Sequence, residues 1–230
     1  MAQSLLLQTI IPTQEASMDV FSAHRHDTGM TIDPGRTAVI VVDMINEFCK
    51  LGGAMVLPGY ERLVGPQLQV IAAARQAGVP VIWVHDVHRA NVRQDREWLK
   101  RSPHGVENTW AVEIIDDLGA RADEIHVTKR RYSAFFGTDL DLTLKDLGVD
   151  QIVVFGVVTN ICVRSTVHDG FFLGYDIAVP RDCCAATGPR EQDSSLYDIA
   201  THFGTVTDAG ALAATFAAGG ATIPALDIPA

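Results

Sequence analysis

The chain has 230 residues, 47% of them hydrophobic and 20% charged, which is enough for one α/β domain with a packed core. Its 18 Lys and Arg stand against 28 Asp and Glu, a formal charge of −10 that argues against a nucleic-acid groove or adhesion to an anionic membrane. No apolar run approaches the ~18 residues of a spanning helix, and MAQSLLLQTIIPTQ has neither the basic flank nor the cleavage site of a signal peptide, so a cytoplasmic protein is expected.

Residues 1–35 read as an N-terminal arm packed on a neighbouring subunit, closed by the turn signal Asp33-Pro34-Gly35. Residues 37–42 (TAVIVV) form a β-branched run that stops at Asp43. A helical spacing over 67–77 ends at Gly78, and 79–84 (VPVIWV) is a second strand, followed by His85-Asp86. A short helix is expected over 110–118, then a strand over 125–128 ending at Lys129. A helix over 139–147 closes at Gly148, and the strand 152–155 (IVVF) leads into Gly156. Further expectations are a helix over 161–173 closed by Gly174, a strand over 176–179, a helix over 196–203 and an edge strand over 204–207. The Ala/Gly-rich stretch 211–230 reads as a tail. Strands apolar on both faces, alternating with glycine-closed helices, predict one Rossmann-like, doubly wound α/β domain over 36–210, with a mainly parallel sheet and helices on both faces.

Such sheets bind ligands beyond the carboxyl ends of their strands. Asp43, His85-Asp86, Lys129 and the segment holding Cys162 all follow predicted strands, so a carboxylate, an ammonium and a thiol are expected in one cleft. In GVVTNIC (156–162), Thr159 or Asn160 caps a helix whose first turn holds Cys162. There the free amides and the helix dipole favour a thiolate and offer an oxyanion site. Lys129 would lower the thiol pKa from its usual ~8.5. The plain alternatives are a buried, inert Cys162, a surface Lys129, and an Asp43 that only caps or pairs. Three such residues at neighbouring strand ends favour a nucleophile with an acid-base partner. His85 and His88 pass part of a test for a metal site, but His24, His26 and His104 lie in weak contexts. No metal or other cofactor is therefore assigned. Cys49, Cys183 and Cys184 read as packing.

The strings VIVVDMINEFC, KRRYSAFFGTDLD, GVVTNICVRSTVHDGFFLGY and DCCAA, in this order between 37 and 206, resemble the isochorismatase-like cysteine hydrolases. The resemblance implies an Asp43–Lys129–Cys162 triad, a cis peptide at Val157-Val158, and an oxyanion hole from the amides of Val158 and Cys162. It also implies pocket walls from Phe48 and Tyr132; Asn46, Glu47 and Gln192 are the candidate amide partners. Nicotinamidases carry a metal-binding Asp/His set that the sequence reads as lacking, and isochorismatases proper generally lack the cysteine. The KRRYSAFF string is closest in look to ureide amidohydrolases. Arg130, where ureidoacrylate enzymes usually carry proline, and Glu47 beside Phe48 argue for a neutral substrate such as triuret or biuret. The alternatives are ureidoacrylate or N-carbamoyl compounds, a vinyl-ether hydrolase, and a non-catalytic ligand-binding relative. A homodimer or homotetramer is expected, as in similar proteins.

Overall fold

The computed structural model describes residues 29–226 and 228. Residues 1–28, and with them most of the expected arm, lie outside the described part. The elements are, in order, β1 (Met30–Ile32), β2 (Thr37–Val42), α1 (Asn46–Cys49), α2 (Glu61–Gln76), β3 (Val81–Asp86), β4 (Ile125–Lys129) and α3 (Leu140–Asp146). They continue with β5 (Gln151–Val157), α4 (Arg164–Phe172), β6 (Asp176–Pro180), β7 (Cys184–Ala185), α5 (Pro189–Asp198), β8 (Thr205–Thr207), α6 (Ala209–Ala217) and β9 (Ala221–Ile223).

The main sheet runs β4-β3-β2-β5-β6-β8, with β7 added beside β5, and all its pairings are parallel. Every residue of β2 and of β5 is buried. Successive side chains on a strand point to opposite faces, so both faces of the central sheet are covered, as a parallel sheet requires. The order reverses between β2 and β5: the chain winds outward to β3 and β4 on one side and to β6 and β8 on the other. That reversal opens a crevice at the carboxyl ends of β2 and β5. Glycine makes the close approach there possible: Gly156 sits at φ +130, and a Cβ on it would stand 2.0 Å from the Val42 carbonyl oxygen.

Helix α2 buries Leu63, Gln67, Val70, Ile71 and Ala74, a single stripe at helical spacing, and packs against α6. Helix α6 is capped by Asp208, whose side chain accepts from the Ala211 amide. The stretch read as a tail therefore contributes a core helix and β9, which pairs antiparallel with β1.

Three expected helices differ in detail. The 110–118 helix is two separate 3₁₀ turns, Trp110–Val112 and Asp116–Leu118. The residues between them are drawn out to bond the β2–α1 connection: Asn46 N–H donates to Glu113 O, and Ile115 N–H to Met44 O. The helix expected over 196–203 begins at Pro189, seven residues before the apolar pattern that signalled it, because its first turns are polar, and it ends in a π turn, Ile199–Phe203. The 161–173 helix starts in a wider π turn, Thr159–Val163, and only then becomes α4.

Candidate active site

Strand register assembles the site. Val42 lies opposite Gly156 and opposite Val84, and Asp86 opposite Lys129. The residues one or two steps further along, Asp43 and the turn after Val157, therefore meet Asp86 and Lys129 on one edge. Asp43 leaves β2 at φ +55, a left-handed conformation uncommon for a non-glycine residue, and its amide donates to Val84 O at 3.0 Å. Lys129, with no exposed side-chain surface, places Nζ 2.9 Å from Asp43 Oδ2, 3.1 Å from Asp86 Oδ1 and 3.7 Å from Cys162 Sγ. The three residues of the expected triad are thus together, and a second carboxylate stands beside them. The Val157-Val158 peptide is cis.

Cys162 opens onto a cavity of about 310 Å³ walled by Phe48, Met55, Leu57, Tyr132, Val158 and Ile161. Asp86, Glu97, Arg101 and His104 also line it. Phe48 and Tyr132 therefore stand where the resemblance put them. The other proposed contacts stand elsewhere. Asn46 Nδ2 donates to Trp110 O at 2.9 Å. Glu47 accepts from the amides of Ala54 at 2.5 Å and Gly105 at 3.0 Å, which ties the loop after β3 to α1. Gln192 Nε2 donates to Cys184 O. Asn160 caps no helix: it exchanges hydrogen bonds with Thr187 across the cavity rim.

Burial sets the acid-base character. It drives the Cys162 thiol well above its ordinary range; Lys129 opposes this but does not overcome it. Burial likewise raises Asp43 to about 7 against the pull of Lys129. For Lys129 burial acts downward, but Asp43 and Asp86 outweigh it and keep the ammonium charged. Burial also acts to raise Asp86, and the Lys129 and His88 charges together hold it below the usual carboxylate range. Burial thus works against the expected resting thiolate and favours a protonated sulfur beside a carboxylate able to take its proton. Cys49, Cys183 and Cys184 are buried free thiols, each raised by burial, which fits packing roles.

The sequence reading that the metal-binding set is lacking is also corrected. Asp86, His88, Glu97 and His104 each present one ligand atom, all within 4.8 Å of one another and all buried. His88 Nδ1 bonds Asp95 Oδ2 at 2.9 Å and His104 Nδ1 bonds Ser102 O at 2.8 Å. A carbonyl only accepts, so His104 carries its proton on Nδ1, and the Asp95 carboxylate holds the His88 proton likewise. Both Nε2 atoms then point into the cluster: that of His104 carries the lone pair, and that of His88, which Asp86 and Asp95 favour in the protonated form, would give up its proton to a bound metal. His88 Nε2 and both Glu97 oxygens are buried without a hydrogen-bond partner. Two imidazoles fixed by their outer nitrogens, facing two carboxylates, fit a divalent cation. His85 does not join them; its Nε2 is bonded to His126 at 2.8 Å. His24 and His26 lie outside the described residues. Sequence reading passed over Glu97 and set His104 aside because the donors are spread over an aperiodic loop, with only Asp86-x-His88 as a local signal.

The Isochorismatase domain model matches residues 37–211. The chain belongs to the isochorismatase family. This family member is 34% identical over 209 residues to ureidoacrylate amidohydrolase RutB of Serratia proteamaculans, a match covering 80% of this chain and 84% of that one. Among solved structures, a cysteine hydrolase from Pseudomonas syringae pv. phaseolicola superposes with a TM-score of 0.80 at 32% identity, covering 85% of this chain and 99% of that one. N-carbamoylsarcosine amidase from Thermoplasma acidophilum superposes at 0.67 with 32% identity, covering 76% and 96%. The isochorismatase-family fold and hydrolase class thus rest on sequence and structure together, and among the described residues no helix is long and apolar enough to cross a membrane.

Proposed function

We propose that this amidohydrolase releases ammonia from a small carbamoyl or carboxamide compound through a covalent Cys162 acyl-enzyme. The observation that carries the reading is Lys129 Nζ standing between Asp43 Oδ2 at 2.9 Å and Cys162 Sγ at 3.7 Å beside a mainly apolar cavity. Cys162 Sγ attacks the carbonyl carbon as its proton passes to Asp43, whose pKa of about 7 suits it to take and return a proton near neutrality. The oxyanion that forms is held by the amides of Val158 and Cys162. When the C–N bond breaks, Asp43 protonates the nitrogen and ammonia leaves. Asp43, again a carboxylate, takes a proton from water. The hydroxide attacks the thioester carbon, the sulfur departs and regains its proton, and the acid is freed. Lys129 keeps its charge throughout and orients both partners.

Asp86, His88, Glu97 and His104 would hold a divalent metal beside this cavity. Bound there, it would supply Lewis acidity towards a polar substrate group. The neutral ureides triuret and biuret fall within the proposed class, but the ground for preferring them is gone. The Glu47 carboxylate is taken up by two backbone amides, and Arg130 is held by Val87 O at 2.9 Å and Glu107 at 3.9 Å. Relatives named for ureidoacrylate and N-carbamoylsarcosine favour the carbamoyl class as a whole. An ammonia-release panel of biuret, triuret, ureidoacrylate, N-carbamoyl amino acids and nicotinamide tests the reading. Release by the wild type and none by Cys162→Ser is expected; near-normal release by that variant would refute the covalent mechanism.

A further inference from the structure

We propose that Arg101 selects substrates carrying a carboxylate at the end remote from the scissile carbonyl; the proposal rests on the amidohydrolase reading of the same cavity. Residues 95–101 form a helical turn in which Leu99 N–H donates to Asp95 O at 3.0 Å and Arg101 N–H to Glu97 O at 2.8 Å. A separation of four residues sets Glu97 and Arg101 on one side of that turn, and both line the cavity. Glu four residues before Arg is an ordinary spacing for an ion pair, but none forms here. The Glu97 carboxylate faces the two imidazoles instead, 3.7 Å from His88 Nε2 and 3.9 Å from His104 Nε2.

Arg101, exposed at the cavity rim, has no counter-ion among the described residues. Arg130 is engaged on Glu107 and Val87 O and Arg131 on Asp95, while Arg89, Arg93 and Arg96 are exposed and do not line the cavity. The remaining carboxylate of the cavity, Asp86, is committed to Lys129 at 3.1 Å. Cys162, Tyr132 and Arg101 line the same cavity. Phe48, Met55, Val56, Leu57, Pro58 and Ile161 offer a charged group nothing, and of the polar lining residues His104 faces the carboxylate cluster while Thr187 is bonded to Asn160. A ligand with its amide at Cys162 thus meets a single unpaired cation, whose planar fork matches a carboxylate with two parallel hydrogen bonds.

The test compares ammonia release from an N-carbamoyl amino acid and from its neutral methyl ester, in wild type and in Arg101→Met, Arg101→Lys and Arg101→Glu. The expected result is a wild-type preference for the carboxylate. In Arg101→Met that preference falls by about 10- to 100-fold, carried by KM rather than kcat, as for a lost charge-assisted contact. Arg101→Lys retains part of the preference and Arg101→Glu inverts it. The proposal is overturned if the wild type favours the neutral compound. It is also overturned if the preference survives Arg101→Met and disappears only on chelation, which would assign the carboxylate to the metal donors. Silence of the wild type on both compounds would instead overturn the amidohydrolase reading itself.

Discussion

Lys129→Met removes the one cation that two buried carboxylates share. The methionine side chain is of similar length and unbranched, so the change deletes charge with little change of shape. Asp43 and Asp86, both almost wholly buried, lose partners at 2.9 and 3.1 Å. Removing one member of a buried ion pair costs about 3–5 kcal/mol. In a domain of this size each kcal/mol lowers Tm by about 2–4 °C, so a fall of about 6–20 °C is expected at pH 8. The deficit has a sign in pH. Without the ammonium, burial dominates at Asp43 and Asp86, and both carboxyls titrate above the ~3.9 they have in the unfolded chain. The folded state then binds more protons than the unfolded one, so the variant loses stability as pH rises through that interval. In the wild type Asp43, raised to about 7, behaves the same way, but Asp86 is held low and loses its contribution only as pH falls towards acid. The gap between variant and wild type should therefore be widest at pH 8 and narrow towards pH 5. Thermal unfolding followed by circular dichroism across that range measures it. A Tm within 2 °C of wild type at pH 8, or a gap that widens at pH 5, would refute the shared-cation account.

Because burial raises the Cys162 thiol, alkylation by iodoacetamide should accelerate steadily from pH 6 to 9, with Cys162→Ser as the blank; a plateau below pH 7 would mean a resting thiolate. Asp95→Ala removes the acceptor that orients His88 and should weaken zinc binding by about 10- to 100-fold in chelator competition, with Asp95→Asn less affected because it keeps an acceptor. An unchanged zinc affinity in Asp95→Ala would argue that His88 is not oriented for a metal. Gly156→Ala drives a Cβ to 2.0 Å from Val42 O and should destabilise by about 3–5 kcal/mol in urea titration; a near-normal midpoint would show that β2 and β5 tolerate separation.

The triad was legible because parallel-sheet residues obey a simple rule: a polar residue ending an apolar strand belongs to the carboxyl edge. Asp43 and the turn before Cys162 each end such a run, Lys129 ends the half-exposed edge strand β4, and the register then brings them together. The rule ends where the strands do. Glu97, Arg101 and His104 sit on a loop whose fold is set by long-range bonds such as that from the Gly105 amide to Glu47, and no periodicity marks them. Glu47, Asn46 and Gln192 show the converse. Each is a polar side chain near the site in sequence, yet each serves a backbone group, because buried amides and carbonyls must be satisfied first. Helix α6 was hidden by composition: Ala-rich sequence reads as low complexity, although alanine is the best helix former and a small face suits packing on α2.

Asp86 joins the two halves of the site through its two oxygens. Oδ1 meets Lys129 at 3.1 Å, while Oδ2 lies 3.4 Å from His88 Nε2 and 3.6 Å from His104 Nε2. One carboxylate thus belongs both to the ammonium that orders the nucleophile and to the donor cluster that fits a metal. Any cation drawn to Oδ2 takes part of the negative charge that Lys129 now shares, leaving the ammonium to act more strongly on Asp43 and Cys162. The Lys129 half of that geometry follows from register, since Asp86 lies opposite Lys129 at the ends of β3 and β4, while the loop after β3 supplies the other half. A substitution such as Asp86→Asn therefore acts on the triad and on the donor cluster at once. Asp95→Ala and Cys162→Ser each reach only one of them, and the contrast between the three separates the two contributions.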